Sequence, residues 1–179
     1  MIKVFVVALC VLSASFSGAQ AKQQKQLHFD LSKVGMVLDG EQICNDTNSR
    51  LQDIPSATMD QITAAGTQSV PVLIRMLADT HMARTKEPIF CYWPGMSISD
   101  IAFCLLTGLF QDIKGRTTVP GAGWTDILGP ANASSWEQLH SFVKKNGVAA
   151  LQAKWWRLWK KYGSQMEWDP KERCIKLKA

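Results

Sequence analysis

Cys91, His81 and Asp100 are the residue types of a thiol triad, in which a thiolate attacks, an imidazole takes up the proton and a carboxylate orients the ring. Cys91 lacks the local signatures that mark known thiol nucleophiles and reads better as a structural or bridged cysteine. The carboxylates Asp53, Asp60, Asp79 and Glu87 are dispersed, and a glycosidase pair would need the fold to bring two of them together. No G-x-S-x-G, H-E-x-x-H or phosphate-cradling glycine loop occurs. There is no C-x-x-C pair and the histidines His28, His81 and His140 are scattered, which argues against a zinc site. The expectation is therefore a protein without metal or cofactor and without an enzymatic role.

The other notable chemistry is charge. The chain carries 20 Lys plus Arg against 15 Asp plus Glu, but the excess is local. Residues 144–179 hold ten basic side chains and three acids, whereas residues 22–143 hold nine and twelve. Within the basic end, Lys154, Arg157, Lys160 and Lys161 flank the aromatic run Trp155-Trp156 and Trp159. Wound at about 100° per residue, Val148, Leu151, Trp155, Leu158, Trp159 and Tyr162 gather on one side. Arg157 and Lys160 then point away, Lys154 and Lys161 lie on the flanks, and Trp156 falls roughly 110° from the apolar centre. Such a surface suits an anion: an acidic protein, a phosphate-bearing lipid or a nucleic acid. A solvated basic flank that complements the helix dipole is the plainer reading.

Compartment narrows these choices. Lys3 is the only charge in the first 21 residues; an apolar run from Val4 to Leu12 follows, then small residues ending in Ala19-Gln20-Ala21. That order is a secretory signal peptide, read here as cleaved after Ala21. The run falls short of the roughly 20 apolar residues that span a bilayer. The expected location is secreted or periplasmic, which disfavours nucleic acid as a partner. Four cysteines remain after cleavage, in an oxidising setting. Cys104 sits in the apolar stretch from Ile101 to Phe110 and reads as a buried thiol. Cys44 and Cys91, in polar or turn-rich segments, are the expected bridge.

The elements that must position these groups follow from caps and periodicity. Segment 22–53 is expected to be irregular: Lys22 to Gln26 is polar, and Gly35, Gly40 and Asn45 to Ser49 interrupt any long helix. Ser56 or Thr58 caps a short helix stopped by Gly66, and Ser69 caps a second with Pro71 in its first turn and a stripe of Val70, Leu73, Ile74, Leu77 and Ala78. Ser97 and Asp100 form a capping box for a helix from Ile98 to Asp112, apolar almost all round and so buried. Residues 115–130, with Gly115, Pro120 and Trp124, are expected to be a long ordered loop docked by the indole. Ser135 with Gln138 opens a helix ending at Asn146-Gly147, and another runs from Val148 to Tyr162. A hairpin closes the chain, turning at Asp169-Pro170-Lys171-Glu172.

The stretch Ile62 to Asp79 resembles a HEAT-type repeat: a helix ending at Gly, then the form V-P-x-L-I-x-x-L-x-D carried by Val70, Pro71, Leu73, Ile74, Leu77 and Asp79. It covers about one repeat. The resemblance implies helix-pair packing and a protein-binding scaffold. The expected organisation is a signal peptide (1–21), an irregular segment (22–53), a helical domain (54–163) and a packed hairpin (164–179). The expected fold is all-α, a HEAT-like helix pair around a buried central helix, with a small C-terminal β-hairpin. Its expected role is a non-catalytic interaction module whose partner is another protein, an acidic one suiting the basic end. The alternatives are a membrane or polyanion surface bound through Lys154, Trp156, Arg157, Lys160 and Lys161, and a hydrolase using Cys91 or a carboxylate pair.

Overall fold

The computed structural model describes residues 27–34, 56–83, 96–130 and 135–179. The signal-peptide reading of 1–21 and the Cys44–Cys91 bridge lie outside these residues. The fold is mainly helical with one two-stranded antiparallel sheet at the C-terminus.

Helix α1 (Ala57–Ala65) begins where Ser56 is extended and its hydroxyl accepts the Met59 N–H at 3.1 Å. It ends at Gly66, whose φ of 53° and ψ of −128° suit a residue without a Cβ. A 3₁₀ turn, Gly66–Gln68, leads directly into α2 (Ser69–Met76). Ser69 therefore does not cap α2 as expected. The preceding Gln68 is already helical, leaving no extended cap position, and the buried Ser69 Oγ donates to Gly66 O at 2.6 Å. Val70, Val72, Leu73, Ile74 and Leu77 are all buried, so Val72 joins the expected stripe, while Ala78, past the end of the helix, is exposed and leaves it. The reason is that α2 lies chiefly against α3 and α6 and only slightly against α1.

Helix α3 (Ile98–Leu109) has both halves of its capping box: Ser97 Oγ accepts the Asp100 N–H at 3.1 Å and Asp100 Oδ2 accepts the Ser97 N–H at 2.9 Å. It is buried along most of its circumference. It stops three residues before the expected Asp112, because Gln111 pairs with Thr117 and the Asp112 carboxylate accepts the N–H groups of Lys114 and Arg116. The expected long loop 115–130 ends in a further short helix, α4 (Trp124–Leu128). Asp126 Oδ2 accepts the Gly123 N–H at 3.2 Å at its start. Five residues carry too little periodicity to be read in advance.

Helices α5 (Ser135–Asn146) and α6 (Val148–Tyr162) fall where expected, separated by Gly147 at φ 80°. Strands β1 (Met166–Asp169) and β2 (Cys174–Leu177) pair Met166 with Leu177 and Trp168 with Ile175, so one face leans on the helices. Asp169 organises the turn: Oδ1 accepts the N–H groups of Lys171 and Glu172, and Oδ2 lies 2.8 Å from Lys176 Nζ. The Lys176 hydrogen bond, then that of Glu172, holds the Asp169 carboxyl at about 2, below the ordinary 3.8. A lowered carboxyl contributes stability that is present above pH 3.8 and lost as pH falls toward 2. The hairpin amide resonances of Lys171 and Glu172 are expected to shift across that window, and Asp169→Asn to abolish the transition. A pH-independent spectrum between 4 and 2 in the native chain would rule this out.

The expected irregular segment contributes more than anticipated. In residues 27–34, a 3₁₀ turn (Leu31–Lys33) anchors Phe29, Leu31 and Val34, each buried to 1% exposure. Thr58 Oγ1 donates to Asp30 O and ties this segment to α1.

Candidate functional site

At the centre of the core, Trp155 lies parallel to Phe110 at 5.8 Å and edge-on to Phe103 at 6.3 Å. Phe103 meets Trp124 at 4.7 Å, and Trp124 meets Trp136 at 6.0 Å. This cluster locks α3, α4, α5 and α6 together, so the opposite side of α6 is presented on a rigid support.

Of the five expected contact residues on α6, the structure keeps three on one exposed surface. Arg157 and Lys160 are exposed and make no ion pair with the described residues. Lys161 is exposed, with its ammonium 4.7 Å from the Tyr162 ring centre. Lys154 departs from them. Its Nζ donates to Ile127 O at the end of α4 and stands 5.1 Å over the Phe142 ring, a cation placed at a helix C-terminus. Trp156 is half-buried and packs against the edge of the core. Gln152, which periodicity did not single out, ties α6 to the end of α2 by donating to Ile74 O at 2.9 Å.

A groove of about 370 Å³ runs along α5 beside the turn that follows α4. Leu128, Pro130 and Phe142 form apolar walls, and Gln138, Ser141 and Lys145 supply polar groups. Gln138 was expected to reach back and cap α5. Instead it lies buried at 9% exposure, and its Nε2 donates to Gly129 O. Its carbonyl Oε1 has no hydrogen-bond partner among the described residues. Lys144 and Lys145, in the last turn of α5, are both exposed.

The residue types of thiol and acid–base chemistry are drawn elsewhere. Asp100 contacts His140 Nε2 at 3.3 Å, linking α3 to α5, and does not meet His81. His81 Nδ1 lies 2.7 Å from Asp79 Oδ1, and the His81 backbone N–H, then its ring, lowers the Asp79 carboxyl. Cys91 is outside the described residues. No disulfide links Cys104 and Cys174, and no three His, Cys, Asp or Glu side chains converge among the described residues. Cys104, expected to be buried, is half-buried on α3; desolvation by its surroundings, with the Asp100 carboxylate second, pushes its thiol far above the ordinary range. Since the thiolate is the reactive form, iodoacetamide at pH 8 is expected to modify Cys104 at least about tenfold more slowly in the native chain than in urea. Peptide-resolved mass spectrometry checks this, and equal rates would refute it.

Among the described residues no helix is long and apolar enough to cross a membrane. No protein-family model, curated protein or solved structure matches the chain.

Proposed function

We propose that this chain is an exported, non-catalytic helical module that binds another protein, with an acidic partner preferred, through the surface of the α5–α6 pair. The observation that carries this reading is the exposed basic surface on a rigid support: Arg157 and Lys160 project from α6 without ion pairs to the described residues, while Trp155 on its other side is fully buried. Cations held on a fixed scaffold steer an anionic partner and set its register. The order Lys3, apolar run, Ala19-Gln20-Ala21 supports export. An anionic membrane surface fits less well, since Trp156, Trp159 and Tyr162 pack against the core instead of standing free to enter a headgroup layer.

The test is co-purification of the tagged mature chain from an envelope extract, in parallel with the triple variant R157E/K160E/K161E. One protein should be recovered repeatedly with the native chain, be lost in about 0.5 M salt, and fail to bind the variant. Recovery of the chain alone, or equal recovery with reversed charges, would overturn the reading. Saturable, salt-sensitive binding to phosphatidylglycerol vesicles, with no protein recovered, would move the surface to the membrane alternative.

A further inference from the structure

We infer that the α5 groove is a site for an extended, acidic peptide segment of about three residues. The inference rests on the protein-binding reading above and adds to it a place and a ligand chemistry. Four observations point the same way.

The first is spacing. Gln138, Ser141 with Phe142, and Lys145 recur at three- and four-residue intervals along one side of α5. From Gln138 to Lys145 the helix rises about 10 Å, at 1.5 Å per residue. Three extended residues, at about 3.3 Å each, cover the same length. The second is Gln138, which lines the groove. Its Oε1 is a buried acceptor without a donor among the described residues, and its orientation is fixed because Nε2 already serves Gly129 O. An unsatisfied buried carbonyl is costly, so a ligand N–H placed there recovers a hydrogen bond that the free protein lacks. A peptide backbone supplies such a donor at every residue but proline.

The third is the wall. Leu128, Pro130 and Phe142 offer an apolar surface to one side chain of the segment, and Lys154 backs the Phe142 ring from the interior. The fourth is charge. Among the described residues no carboxylate lines the groove, and Lys145 stands at its end with Lys144 beside it. The partial negative charge expected at a helix C-terminus is reduced there, since Asn146 Nδ2 donates to Phe142 O and the Gly147 N–H to Val143 O. A carboxylate reaching Lys145 therefore meets a net cation. The ligand is a segment with an apolar side chain followed by Asp or Glu, bound by one backbone N–H to Gln138 Oε1 and one carboxylate to Lys145.

The test is a titration of the ¹⁵N-labelled mature chain with the blocked hexapeptide of alternating Leu and Asp, followed by amide shifts. Saturable shifts confined to residues around Ser141, Phe142 and Lys145, and to the Gln138 side-chain amide, are expected. The blocked Leu–Asn peptide should bind several-fold more weakly and the Leu–Lys peptide not measurably. Two substitutions at exposed positions leave the core untouched: Lys145→Glu should weaken the Leu–Asp peptide about tenfold, and Ser141→Trp, which fills the groove, should abolish its binding. Binding that Ser141→Trp leaves intact, shifts confined to α6, or equal affinity for the three peptides would overturn the site. Groove shifts that appear with protein concentration alone would assign it to a second copy, and groove shifts with phosphatidylglycerol vesicles but not the peptide would assign it to lipid; either overturns the peptide. A partner still recovered by the Ser141→Trp chain would refute the groove while sparing the broader interaction reading; failure of the native chain to recover any partner would refute the latter.

Discussion

Replacing Trp155 by Ala is expected to cost about 3–5 kcal/mol, enough to bring a domain of ordinary stability, about 5–15 kcal/mol, close to unfolding. Trp155 is fully buried and lies between Phe110 and Phe103, with Trp124 and Trp136 continuing the cluster beyond Phe103. Removing the indole leaves a cavity against Phe110 and Phe103, and a close-packed interior refills such a space only in part. Trp155→Phe separates ring packing from polarity. The indole N–H has no acceptor among the described residues, so Phe keeps most of the stacking and removes an unsatisfied donor. Its cost should be no more than about half that of Ala. Urea unfolding followed by far-ultraviolet circular dichroism measures both. An Ala variant as stable as the native chain, or a Phe variant as damaged as Ala, would contradict this account of the core.

The second large effect is expected at Gly66. Its backbone, at φ 53° and ψ −128°, lies where an L side chain is strained, at a cost of order 1–3 kcal/mol. A Cβ there would also stand 3.0 Å from Trp168 Cβ, part of a strand that cannot retreat without loosening the hairpin. Gly66→Ala should therefore lower the urea midpoint and shift the Trp168 indole resonance together. Gly115→Ala is the control: its φ is 72°, but nothing lies within 4 Å of the added carbon, so only the smaller backbone cost of about 1 kcal/mol remains. If the two substitutions are equally mild, the contact between the α1–α2 junction and the hairpin is not a supporting one.

Both predictions depend on residues whose type was legible in the sequence and whose neighbours were not. Gly66 reads as a helix stop from its position after an apolar period, yet its closeness to Trp168 joins residues about a hundred positions apart. Trp155 reads as a core residue from the wheel of α6, whereas Phe110 and Phe103 as its partners required the docking of α3. The Ser97–Asp100 box and the Gly147 break were readable because each is a local hydrogen-bond or backbone requirement. Ser69 and Gln138 misled for different reasons: the adjoining 3₁₀ turn gives the Ser69 hydroxyl a local acceptor in Gly66 O, whereas the docking of α5 at the end of α4 gives Gln138 the Gly129 O. The apolar residues Phe29, Leu31 and Val34 were a signal for a packed N-terminal segment, obscured by the polar residues on either side.

The candidate surface divides along the same line. Sequence alone determined that α6 has an apolar face and a basic one, because helical period is set by the backbone and needs no partner. It likewise determined the helical class and the terminal hairpin, through caps, glycines and the proline turn. Only the tertiary structure decided that Lys154 turns to the end of α4 while Arg157 and Lys160 stay exposed, that Asp100 meets His140 and not His81, and that a groove opens beside α5. Those outcomes are distances between residues remote in the chain, and they depend on how helices dock, a quantity that no local pattern of side chains specifies.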